Sequence, residues 1–118
     1  GEAERAIASL RHGLNLNPND PQNVAWHILL AYAQLLADQS KEALESANTA
    51  LALRPHFGPT LEALACCAVA LGRPDDAGQW LSRMKEADDP ESHFLAPMRA
   101  NQPDYDKRIT RWLQNARA

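Results

Sequence analysis

Glycine is scarce, with five in 118 residues, and none sits in a run able to cradle phosphate, which excludes nucleotide loops built on clustered glycine. Cysteine is scarcer still. Cys66 and Cys67 are sequence neighbours inside an apolar run, where a mutual disulfide would strain the backbone and a metal would find no other ligands. Both read as small core residues in a reducing compartment, which places the protein in the cytoplasm. A basic excess is also missing: the formal net charge is -3 and the pI is near 5.7, so direct binding of nucleic acid is not expected. No stretch approaches the roughly 18 to 20 apolar residues that cross a bilayer, so no membrane partner is expected. The chain opens at Gly1 without an initiator Met, and is read as a fragment of a longer protein whose leader, if any, is out of view.

Catalytic patterns are lacking as well. His12, His27, His56 and His93 fall in four separate segments, with no second His or Cys one turn away to form a metal face. Ser9, Ser40, Ser46, Ser82 and Ser92 stand in no turn of the nucleophile-elbow kind. The acidic pair Asp75-Asp76 has a sufficient structural reason at the positive end of a helix. No enzyme activity, cofactor or metal is expected.

What the chain does have is hydrophobic content with helical order. Apolar residues make up 45% and charged residues 23%, the balance of a folded globular protein. From Val24 to Ala37 the polar side chains His27 and Gln34 lie on one narrow stripe of an otherwise apolar helix, which must be covered on most sides. Asp38, tolerant of the left-handed conformation, ends it, and Ser40 is expected to cap the next helix. Ser40 to Leu53 is amphipathic, with Ala43, Leu44, Ala47, Ala50 and Leu51 on one side and Lys41, Glu42 and Glu45 on the other. Pro55 stops it after Arg54. Thr60 to Leu71 forms the next apolar helix, Gly72 ends it, and Pro74 opens a helix whose stripe is Ala77, Trp80, Leu81, Met84 and Ala87. Glu2 to Leu16 reads as the second helix of a hairpin whose first helix lies outside the sequence.

These helices repeat. An offset of 37 carries Leu14-Asn15-Leu16-Asn17-Pro18 onto Leu51-Ala52-Leu53-Arg54-Pro55, and an offset of 34 carries Leu30-Ala31 onto Leu64-Ala65, Asp38 onto Gly72 and Ala43 onto Ala77. The implied units are residues 1–18, 22–55 and 58–90 within one domain. Residues 91–118, more basic than the rest, are expected to cap the stack through a last helix bearing Tyr105, Ile109, Trp112, Leu113 and Ala116.

Two helices per 34 residues, small residues at the crossings and a proline after the second helix resemble the tetratricopeptide repeat. The matching residues are Leu30, Ala31, Ala43, Leu53 and Pro55, then Leu64, Ala65, Gly72 and Ala77, with Ala6, Leu10, Leu16 and Pro18 in the partial unit. Gln34 departs by replacing an aromatic, Asp38 by replacing a glycine and Asp89 by replacing a proline. The resemblance implies an all-α fold of antiparallel helical hairpins stacked as a right-handed superhelix. More narrowly, Asn17-Pro18-Asn19-Asp20-Pro21 followed by a long apolar helix looks like the C-terminal repeats of bacterial regulators such as class III adenylate cyclases and winged-helix transcription activators.

In such repeats the first helices line a concave groove that takes a protein or peptide. The corresponding positions are Ile28, Tyr32, Leu35 and Leu36, then Glu62, Cys66 and Val69. No cationic clamp stands among them, so an amphipathic helix or an internal hydrophobic segment suits the groove better than a free C-terminus. Burial of these residues by neighbouring repeats is one competing reading, and a homo-oligomerisation or intramolecular regulatory role in an adenylate cyclase or transcription regulator is another. With no hairpin before it, the Val24 to Ala37 helix is further expected to leave Trp26, Leu29 and Leu30 uncovered and to form a homodimer through them.

Overall fold

The computed structural model describes residues 1–17, 20, 23–87, 111 and 114. Five helices follow one another: α1 (Glu2–Leu16), α2 (Val24–Leu36), α3 (Ser40–Leu53), α4 (Gly58–Ala70) and α5 (Pro74–Ala87). No strand occurs among the described residues. α2 and α3 form one antiparallel hairpin, α4 and α5 a second. α3 also packs on α4, α1 packs on α2, and α2 touches α4 directly. The result is an all-α stack of helical hairpins.

The hairpins turn through the same backbone device. Asp38 has φ 61° and Gly72 has φ 76°, both in the left-handed region. After α2, the Gln39 N–H donates to the Gln34 carbonyl at 2.8 Å and the Asp38 N–H to Leu35 at 3.1 Å. After α4, Arg73 donates to Ala68 at 2.8 Å and Gly72 to Val69 at 3.0 Å. This paired bonding satisfies the last carbonyls of each helix and reverses the chain within two residues.

Small side chains lie where the helices cross. Ala43, Ala47 and Ala50 of α3 and Ala77 of α5 are fully buried, in one cluster with Ile28, Tyr32, Leu35, Leu64, Cys66 and Leu81. Trp80 and Met84 pack half-buried against it. Close approach of the helices depends on the absence of bulk at the alanines, since protein interiors pack without spare volume. A second, smaller cluster joins Ile7 and Leu14 of α1 to Leu30 and Ala33 of α2.

Two local expectations need correction. α3 begins at Ser40 itself, so Gln39 occupies the cap position, and no side-chain cap hydrogen bond forms. α4 begins at Gly58, two residues before Thr60, because extended Phe57 leads into a first turn that holds Pro59, where a missing N–H is harmless. Arg54 caps the backbone of α3 and sets its guanidinium 4.2 Å from the centroid of the Phe57 ring, which anchors the bend between the hairpins. The capping segment proper, with Tyr105, Ile109, Trp112, Leu113 and Ala116, lies outside the described residues. Arg111 and Gln114 are helical and exposed.

Candidate functional site

α2 and α4 touch directly, and the groove positions expected from the sequence lie on these two helices. Ile28, Tyr32 and Leu35 of α2 and Cys66 of α4 are buried in the main cluster. Leu36, Glu62 and Val69 are half-buried and reach the surface. These positions therefore fall into two layers, one buried and apolar, the other half-buried with two aliphatic side chains and one carboxylate.

One polar contact ties the layers together. The Tyr32 hydroxyl donates to Glu62 Oε1 at 2.8 Å, bridging α2 and α4. Burial, and secondly the Glu62 carboxylate, hold the phenol well above its ordinary range, so Tyr32 stays a neutral donor. The Cys66 and Cys67 thiols are buried and unbridged, and burial pushes Cys67 up to about 12. A protonated, enclosed thiol is a poor nucleophile, so Cys67 is not set up for nucleophilic chemistry, and Cys66 is likewise buried.

A second contact could not be foreseen from the pattern. Gln34 is buried, and Ser46 Oγ of α3 donates to its Oε1 at 2.7 Å. The residue that replaces an aromatic thus exchanges ring packing for a hydrogen bond across the hairpin. The only sequence signal was the polarity of Gln34 within an apolar helix.

The candidate self-association residues separate. Trp26 is 47% exposed, with its Cζ3 3.6 Å from where a side chain on Gly13 of α1 would begin. Leu29 is half-buried against the main cluster. Leu30, expected to lie uncovered, is only 6% exposed, because α1 lays Ile7 and Leu14 over it. α1 itself supplies this cover.

α1 and α2 also border an open cleft of about 460 Å³ lined, among the described residues, by exposed Arg11 and Asn15, half-buried His27 and buried Leu14. Arg11 and Asn15 stand one helical turn apart and so share a face, a spacing visible in the sequence but not connected there to His27. Among the described residues no group of three His, Cys, Asp or Glu side chains is placed to hold a metal, and no helix is long and apolar enough to cross a membrane.

Comparison with known families agrees with this architecture. Residues 35–100, more than half of the chain, match the family model for the tetratricopeptide repeat. The chain belongs to the tetratricopeptide repeat family. The match spans α3, α4 and α5 and continues beyond the described residues. No curated protein matches the chain. In tetratricopeptide repeats the stacked hairpins make a helical-repeat superhelix, and such domains generally mediate protein–protein interaction. The left-handed ends at Asp38 and Gly72, 34 residues apart, are the joints of that repeat.

Proposed function

We propose that this chain is a non-catalytic interaction module, part of a larger cytoplasmic bacterial signalling or regulatory protein, and that it binds a partner on the face shared by α2 and α4. The observation that supports this most is the two-layer face itself within a tetratricopeptide repeat. Ile28, Tyr32, Leu35 and Cys66 are buried, and Leu36, Glu62 and Val69 are half-buried. Two aliphatic side chains flanking one carboxylate fit an amphipathic helix or an internal hydrophobic segment, whose apolar residues would cover Leu36 and Val69 while a polar or basic one meets Glu62. The parent would be a regulator of the class III adenylate cyclase or winged-helix activator type, with the signalling or DNA-binding activity in another domain.

The test is capture from the parent cell with the wild-type chain and with a Leu36→Glu/Val69→Glu variant, followed by binding of the purified partner to both. A partner other than the parent protein, retained by wild type and lost by the folded variant, is expected. Equal retention by both would move the site off this face.

The exposure of Trp26 favours a second reading, self-association through Trp26 and Leu29 over the buried Leu30. Light scattering across a concentration series decides it: a wild-type dimer converted to a folded monomer by Trp26→Glu/Leu29→Glu supports it, and a wild-type monomer at high concentration rejects it.

A further inference from the structure

We propose that the cleft between α1 and α2 is a carboxylate-binding site formed by Arg11, Asn15 and His27 over a floor of Leu14. This stands apart from the α2 and α4 face and does not rest on its binding a partner.

The cleft volume of about 460 Å³ falls within the roughly 300 to 1,000 Å³ typical of small-ligand sites. Its lining is a guanidinium, a carboxamide, an imidazole and one buried aliphatic side chain. All three polar groups can donate hydrogen bonds, and among the described residues no acidic side chain lines the cleft to consume them. None of the three has an ion pair or a side-chain hydrogen bond among the described residues. A cation that lines a concave surface without a counter-ion among the described residues is available to an external anion.

The backbone adds to the same polarity. α2 starts at Val24, one turn before His27, without an acidic residue in its first turn and without a side-chain cap bond, so the positive end of the helix lies on the same side as the imidazole.

Charge selects the class of anion. Arg11 contributes one positive charge. Partial burial holds the His27 imidazole below its ordinary value, so at neutral pH it donates as a neutral ring. A monoanion matches one guanidinium, and a planar carboxylate can take it in bidentate fashion while Asn15 or His27 donates to the same oxygens. A phosphate dianion would bring a second charge that nothing in the described lining balances.

The carboxylate could belong to a free small acid or to a Glu side chain of a polypeptide, and the chemistry at the cleft is the same. The cleft is also separable from the Trp26 surface. Gly13, over which Trp26 lies, is roughly half a turn round α1 from Arg11 and Asn15.

The experiment is a two-dimensional amide NMR titration of the whole chain with sodium acetate, with an uncharged-ended peptide carrying one Glu, with inorganic phosphate, and with chloride at matched ionic strength. Saturable shifts confined to residues around Arg11, Asn15 and His27 are expected with acetate or the peptide. Arg11→Gln should weaken them about tenfold, since a charge-assisted bidentate pair is lost. Arg5→Gln, the same charge change at an exposed α1 position outside the cleft lining, should leave them unaltered. Saturation by acetate alone identifies a small acid as the source, and tighter saturation by the peptide identifies a polypeptide. Shifts reproduced by chloride, phosphate binding as tight as acetate, equal losses in Arg11→Gln and Arg5→Gln, or no saturation by either carboxylate would each overturn the proposal.

Discussion

Tyr32 and Glu62, thirty residues apart on two different first helices of the repeat, meet in a 2.8 Å hydrogen bond that joins α2 to α4. It is the described side-chain link between neighbouring hairpins on the face proposed for partner binding. Tyr32→Phe keeps the ring in the core and removes only the hydroxyl, so it should cost about 1 kcal/mol, the net worth of one such bond. Glu62→Gln retains an accepting oxygen and should cost less. Urea unfolding monitored by circular dichroism measures both, and a Tyr32→Phe protein as stable as the parent would show that the bond contributes nothing net.

The Ser46 to Gln34 bond makes a sharper prediction because Gln34 is buried. Ser46→Ala should cost about 1 to 3 kcal/mol, as it strands a buried carboxamide oxygen. Replacing both partners together, Gln34→Leu with Ser46→Ala, should recover most of that loss. A double variant as unstable as the sum of the two single ones would mean the pair is not coupled.

The two left-handed residues separate strain from space. Nothing lies within 4 Å of where a Cβ on Gly72 would sit, so Gly72→Ala tests conformation alone and should cost about 1 to 2 kcal/mol. Asp38→Gly should lie within about 0.5 kcal/mol of the parent, because relief of the left-handed strain is offset by the freer unfolded chain. Asp38→Val, β-branched at the same φ, should be clearly destabilising. Thermal midpoints of the three variants check the order.

Acid sensitivity should be traceable to His27. Burial lowers its folded pKa below the unfolded value, so the unfolded chain binds the extra proton first as pH falls. The contribution is fully present above the ordinary histidine range and is lost as pH drops through the lowered value. Between neutral and mildly acidic pH the parent should lose stability faster than His27→Gln, measured as the difference in thermal midpoint. Parallel loss in both proteins would remove His27 as the cause.

Much of the fold is legible in the residues themselves. Ala43 and Ala77 recur 34 apart and are fully buried, and Asp38 and Gly72 recur at the same offset and share one backbone conformation. These features are local: a helix stripe or a left-handed residue is decided by a few neighbours. Depth is not local. The spacing of Ile28, Tyr32 and Leu35 assigns a face of α2, yet whether that face is floor or surface depends on how closely α4 approaches. Leu30 shows the same limit, since its cover comes from Ile7 and Leu14, sixteen or more residues away. The cleft was missed for a related reason: Arg11, Asn15 and His27 come together only through the docking of α1 on α2.

Cys66 and Cys67 sit at the centre of α4, and the apolar surroundings that hold Cys67 at about 12 also shut out solvent. A thiol reagent can reach them only when the hairpins part. Alkylation of the native protein is therefore a kinetic report on opening. Where reclosing outruns the reagent, the labelling rate measures the population of the open state, and where it does not, the rate measures the opening step itself. A partner that clamps α2 to α4 would slow that rate without touching either sulfur.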